Sequence, residues 1–182
     1  MINNITYRRH VIKTRQYGND WRAAAFRGNI KVTDNLPAAT EILAVQVVKN
    51  ELDETAAKQK ARRGADGFPT AEEVHNAFHV LKITKNQEAM LLAHRNAREQ
   101  ILTATLLAEA AGYSDYEVAN SQYGQLGRAL AEELDWTPQE KTADGKTIWT
   151  FALATDANDK SREKGEHWRW KLRPEIVAAL SK

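Results

Sequence analysis

Five histidines, at positions 10, 75, 79, 94 and 167, are the residues best suited to acid–base or metal chemistry in this chain of 182 residues. His75 and His79 stand four apart, a spacing that puts both imidazoles on one face of a helix, where together they can hold a metal ion. The neighbouring residues do not read H-E-x-x-H and the sequence places no third ligand, so the expectation for the pair is a polar helix face without metal. The chain has no cysteine, which removes disulfides, thiolate metal sites and cysteine nucleophiles. It has no glycine-rich phosphate loop and no G-x-S-x-G elbow. The expectation is a protein that is not an enzyme and carries no cofactor.

The remaining chemistry is that of cations. Residues 1–33 carry Arg8, Arg9, Lys13, Arg15, Arg22, Arg27 and Lys31 against Asp20 alone. The net charge of +2, from 26 basic and 24 acidic residues, conceals this concentration. The first 84 residues are net positive and the remainder net negative. A basic segment of this kind is an electrostatic footprint for phosphate, with a solvated strand surface as the alternative. A near-neutral total argues against an acidic DNA mimic. Composition, 42% hydrophobic and 27% charged, is that of a folded domain. No apolar run reaches the roughly 18 residues a membrane span needs, and no signal-peptide pattern opens the chain, so the cytoplasm is the expected location.

The elements that must position these groups fall into three segments: 1–64, a basic β-meander plus helix; 65–83, a linker with a bridging helix; and 84–182. In the first, Tyr7–Arg15, Trp21–Phe26 and Ile30–Thr33 read as three antiparallel strands, joined by turns at Gly18-Asn19-Asp20 and Arg27-Gly28-Asn29. Asn35 as N-cap and Pro37 in the first turn open a long helix with an apolar stripe at Ile42, Val45, Val48, Leu52 and Ala56, ending at Gly64. Strand alternation forbids Trp21 and Arg22 from facing the same way, so Trp21 is expected on the helix and Arg22 outward. Gly64-Ala65-Asp66-Gly67-Phe68-Pro69 reads as a boundary, and Thr70 with Glu73 as a capping box.

Further capping boxes are expected at Thr84/Gln87 and Ser114/Glu117, with a short helix opened by Thr103 and closed by Gly112. The helix after Ser114 carries Ala119, Tyr123, Leu126, Leu130 and Leu134 on one face. Its outward face is then Glu117, Asn120, Ser121, Gly124, Gln125 and Arg128. Gly124 and Gly127 imply close approach of another helix, or of a ligand backbone, with the helix favoured. A hairpin is expected from strands Ile148–Leu153 and His167–Leu172 around a loop at 156–165, with Arg169 and Lys171 on the polar side. The alternating tryptophans favour a packed sheet face over base stacking.

Two resemblances follow from these residues. Arg15-Gln16-Tyr17-Gly18-Asn19-Asp20-Trp21-Arg22-Ala23, Phe26-Arg27-Gly28 and Ala38-Ala39-Thr40-Glu41 resemble the three-stranded-sheet-plus-helix DNA-binding domains of ethylene-response factors and phage integrases. That likeness implies DNA contacts at Arg15, Trp21, Arg22 and Arg27. Residues 84–182 resemble a winged helix-turn-helix unit, the 156–165 loop being the wing. The stretch Ala110–Tyr113 through Asn120–Gly127 is similar to one in bacterial and phage proteins of unassigned activity, some with an HNH nuclease. The histidines here do not form that nuclease motif.

The expected fold class is therefore α+β. The expected function is non-catalytic DNA binding, duplex rather than single-stranded. Arg8, Arg9, Lys13, Arg15, Arg22, Arg27 and Lys31 would meet phosphate, and Asn120, Ser121, Gln125, Arg128, Arg169 and Lys171 would add base reading or a dimer surface. Against a DNA-reading role for the 114–134 helix stands its charge, one cation against four carboxylates. The alternative is a protein-interaction module, such as a phage-type inhibitor or an assembly factor, which predicts an exposed apolar patch.

Overall fold

The computed structural model describes residues 3–158 and 168–181. The chain is α+β and divides into two compact units, residues 1–62 and 63–182.

In the first unit, β1 (Asn3–Tyr7), β2 (His10–Tyr17), β3 (Asp20–Arg27) and β4 (Ile30–Lys31) pair antiparallel in sequence order, and β5 (Leu36–Ala38) pairs with the other end of β3. The sheet thus has five strands where the sequence suggests three. The expected first strand is in fact the end of β1, a turn at Arg8-Arg9, and most of β2. That turn carries no glycine or asparagine. Arg8 takes φ 51°, and its guanidinium reaches Asp53 at 2.8 Å, which helps hold the left-handed backbone. The turns at Gly18 and Gly28 lie where expected, both glycines at positive φ.

Helix α1 (Glu41–Ala61) begins later than the sequence suggests. Thr40, not Asn35, is the N-cap, and Pro37 lies in β5, at an edge where its missing N–H is harmless. Glu41 accepts from Thr14 Oγ1 at 2.6 Å and Asn3 Nδ2 at 2.7 Å, bonds that hold its carboxyl below the usual range and tie the helix start to β1 and β2. Ala44, Val45, Val48 and Leu52 pack on Ile12, Ala23 and Ala25, with Ile5, Tyr7, Trp21 and Ala38 around them. Ile42, expected in the stripe, is 81% exposed.

The second unit contains α2 (Ala71–Val80), α3 (Lys85–Asn96), β6 (Ile101–Thr103), α4 (Ala104–Ala110), α5 (Tyr116–Glu133), β7 (Ala154–Asp156), β8 (Arg169–Leu172) and α6 (Pro174–Ala179). Capping boxes at Thr70/Glu73 and Thr84/Gln87 are both formed. At α5 the cap is Asp115, not Ser114, its carboxylate accepting from the Glu117 N–H. Residues 148–153 are not a strand: Trp149–Ala152 form a 3-10 turn. The hairpin partner of β8 is β7, and β6 pairs on its other side, giving an antiparallel sheet in the order β6-β8-β7. Residues 159–167, which hold most of the expected wing, lie outside the described residues. No described helix is long and apolar enough to cross a membrane.

Segment 65–83 packs within the second unit. Arg63 pairs with Glu73 at 2.7 Å and donates to the Leu134 carbonyl. Phe68 meets Trp136 edge-on, and the Arg173 guanidinium lies 4.1 Å from the Phe68 ring centroid while bonding the Phe151 carbonyl.

His94, fully buried, crosses the core of this unit. Its Nε2 is 3.0 Å from the Trp170 carbonyl and its Nδ1 is 2.8 Å from the Tyr123 hydroxyl. A carbonyl only accepts, so the ring proton sits on Nε2, and Nδ1 accepts from the tyrosine. One neutral imidazole therefore joins α3, α5 and β8. Burial pushes the His94 pKa down and that of Tyr123 up. Above the ordinary histidine value of about 6.5 both folded and unfolded chains are neutral here; below it the unfolded chain takes a proton that the folded one resists. Stability of the second unit should therefore fall with pH below about 6.5, by up to about 1.4 kcal/mol per pH unit, until the lowered native pKa is passed. Urea unfolding at neutral pH and at two acidic values measures this slope. His94→Gln should flatten the second unit's share, and His94→Phe should cost about 2–5 kcal/mol at neutral pH by stranding the hydroxyl and the carbonyl.

Candidate nucleic-acid interface

Because β2 and β3 alternate, the sheet of the first unit has one face for α1 and one without a helix. The helix face holds Ile12, Thr14, Trp21, Ala23 and Ala25. The other face holds Lys13, Arg15 and Tyr17 of β2, and Arg22, Ala24 and Phe26 of β3. Lys31 of β4 pairs with Phe26 and continues that row. Lys13, Arg15, Tyr17, Arg22 and Lys31 are all exposed. Trp21 packs toward α1 and Arg22 points away, as alternation requires.

The cations on this face stand on aromatic rings. Lys13 Nζ lies 4.5 Å from the centroid of Phe26, and the guanidinium carbons of Arg15 and Arg22 lie 5.0 and 5.3 Å from that of Tyr17. Arg15 and Arg22 are also direct cross-strand partners. Like charges placed opposite each other destabilise a strand pair. The tyrosine ring offsets part of this repulsion, as cation–π contacts are worth about 0.5–1 kcal/mol at exposed sites. Ala24 separates the two groups: Lys13 is opposite it, and Arg22 and Phe26 lie two residues to either side. The result is a platform with two preorganised guanidiniums and two ammonium groups on one side of a short sheet.

Three other basic residues of this segment are placed differently. Arg8 pairs with Asp53 of α1, whose carboxylate also accepts from Tyr7 Oη at 2.9 Å. Arg9 shares the β1–β2 turn, and Arg27 is half-buried at the end of β3. Between them stands His10. Burial, and then the positive charges of Arg27, Arg9 and Arg8, hold its pKa below the usual histidine value. Burial and Arg9 lower the Arg27 pKa as well. Basic residues thus also crowd this end of the sheet around His10.

In the second unit, Asn120, Ser121, Gln125 and Arg128 share one exposed side of α5. Gln125 donates to Ser121 Oγ, and Arg128 pairs with Glu132 at 2.7 Å and lies over Trp149. Arg169 and Lys171 alternate with buried Trp170 and Leu172 on β8. Arg169 and Arg98 flank a cleft of about 370 Å³ beside Ile101, Leu102 and Leu106. Tyr17 and Phe26 are the site residues that sequence reasoning missed, although the two-residue alternation from Lys13 and from Arg22 points to both. Among the described residues, no group of three or more His, Cys, Asp or Glu side chains is placed to hold a metal ion.

Comparison with protein-family models, with curated proteins and with solved structures gave no match.

The two glycines of α5 behave unequally. A Cβ on Gly127 would lie 2.2 Å from the Trp149 carbonyl oxygen, whereas one on Gly124 would meet nothing nearer than Thr150 Oγ1 at 3.9 Å. The close approach is thus made by the backbone of the 149–152 turn, not by a helix. Gly127→Ala should destabilise by about 1–3 kcal/mol or more, because a backbone oxygen cannot swing aside. Gly124→Ala should stabilise by about 0.5–1 kcal/mol through helix propensity. Opposite shifts in the denaturation midpoint of the two variants check this.

Proposed function

We propose that this protein is a non-catalytic DNA-binding protein whose first unit lays the Lys13–Arg15–Arg22–Lys31 platform against the phosphates of a duplex. The observation that carries the reading is the Arg15–Arg22 pair. Two guanidiniums held opposite each other on a solvated face repel, and a bound phosphate would turn that repulsion into a paired, charge-assisted contact. The two-stranded β2–β3 ribbon that carries both arginines is an element the major groove admits, and planar guanidiniums suit phosphate and guanine alike.

The second unit, on this proposal, is a winged helix-turn-helix. What supports it is the order α3-β6-α4-α5-β7-β8 with β8 at the centre of the sheet, together with the exposed side of α5. Its contribution is base reading or a dimer surface rather than affinity, since Asp115, Glu117, Glu132 and Glu133 outnumber Arg128 along α5.

A second reading, a protein-interaction module, is favoured by the exposed Ile42, Leu43 and Val47 on α1. An apolar patch of this kind fits a protein partner rather than nucleic acid.

Titration of a labelled duplex at several salt concentrations separates the two. The DNA reading expects binding at low salt, with log K falling linearly in log salt by about 0.9 per phosphate contact. Arg15→Ala with Arg22→Ala should weaken binding about 10–100-fold and shallow the slope by about two contacts. Their thermal stability should not fall, because a like-charge pair is removed. Arg8→Ala should leave the salt slope unchanged, its guanidinium being engaged with Asp53. No duplex binding at about 50 mM salt, or unaltered binding by the double variant, would sink the proposal.

A further inference from the structure

His75 and His79 are closer to a ligand set than their spacing alone implies. His75 Nδ1 lies 3.0 Å from the backbone carbonyl of Ala179, at the end of α6. A carbonyl only accepts, so neutral His75 carries its proton on Nδ1 and a lone pair on Nε2. That lone pair meets His79: the two Nε2 atoms are 3.0 Å apart, and the rings stand edge to face at 81°. His79 must therefore donate its Nε2 proton, and one proton lies between two basic nitrogens. An imidazole whose Nδ1–H is fixed by a carbonyl while Nε2 points outward is the arrangement by which proteins orient metal ligands.

The distance fits the same chemistry. Two nitrogens bound to a tetrahedral zinc at about 2.0–2.1 Å stand about 3.3 Å apart. The observed 3.0 Å is within a few tenths of an ångström of that separation, and the rings must turn so that both lone pairs converge on the ion. His79 is exposed, so its proton can pass to Nδ1 and face water.

We propose that His75 Nε2 and His79 Nε2 form a chelating site for a divalent first-row transition-metal ion, Zn²⁺ or Cu²⁺. Imidazole selects these ions over Mg²⁺ and Ca²⁺, which take oxygen. The remaining coordination positions go to water, because no third protein ligand stands among the described residues. Binding moves the shared proton to His79 Nδ1 and changes no oxidation state. Through the Nδ1 bond to Ala179, the ion would also fasten α2 to α6. This inference does not depend on DNA binding.

The test is calorimetric titration of the full chain with ZnCl₂, CuCl₂ and MgCl₂, with thermal unfolding in parallel. The expected result is one ion per chain, copper tighter than zinc and magnesium absent, with a melting temperature that rises with metal concentration. His79→Gln should abolish zinc binding and the thermal shift while keeping the metal-free melting temperature, because this side chain is exposed. His75→Gln should abolish binding too, but it also removes the bond to Ala179, so His79→Gln decides. Failure of the native chain to bind zinc or copper overturns the proposal, as does His79→Gln binding zinc as tightly as the native chain.

Discussion

The alternation of side chains along β2 and β3 is the constraint on which the first unit depends. Each residue given to the helix side is taken from the other side. Trp21, Ala23 and Ala25 of β3 go to α1, so Arg22, Ala24 and Phe26 must go to the opposite face. The pairing register then sets Arg22 against Arg15 and Ala24 against Lys13. Small residues at 23 and 25 matter for the same reason: they leave room for Ala44, Val45 and Val48 of the helix. The platform of cations is thus the reverse side of the core, and a slip of one residue would exchange the two.

The second unit is built on an apolar core that includes Met90, Leu91, Leu107, Leu126, Leu130 and Ile176, and polar and backbone contacts fix how its elements meet around it. His94 supplies a donor to β8 and an acceptor to α5, so both elements are pinned by one neutral ring. Gly127 lets the Trp149 carbonyl approach α5 more closely than any side chain would allow. Together with Arg128 lying over Trp149, this turn occupies the side of α5 near its carboxyl end. Asn120, Ser121 and Gln125 stay exposed on that helix, polar groups whose nearest cation along it, Arg128, is paired with Glu132. This division of charge and hydrogen-bonding groups is why the two units are assigned different parts in the proposed function.

Local signals were the legible ones. Thr70/Glu73 and Thr84/Gln87 form their boxes because both hydrogen bonds close within four residues, independent of the rest of the chain. The turns at Gly18 and Gly28 were legible because a positive φ favours glycine. The Arg8-Arg9 turn was not, since its left-handed residue is an arginine with an ion-pair partner 45 residues away. Asn35 and Pro37 imitate a helix start, but the segment 36–38 gains more by pairing with β3. The alternation at 148–153 imitates a strand, yet the backbone there closes a tight turn against Gly127.

Composition and spacing were enough for the α+β class, the absence of cysteine chemistry, the basic bias of the first 33 residues, and the opposed directions of Trp21 and Arg22. These rest on composition and on periods of two and 3.6 residues, which every chain of this pattern must obey. Folding alone settled which cations of β2, β3 and β4 share a face, that Arg8 is committed to Asp53, that His94 is the buried link between α3, α5 and β8, and that the Ala179 carbonyl fixes His75. Each depends on partners far apart in the chain, and no local spacing records which distant group will satisfy a donor or a charge.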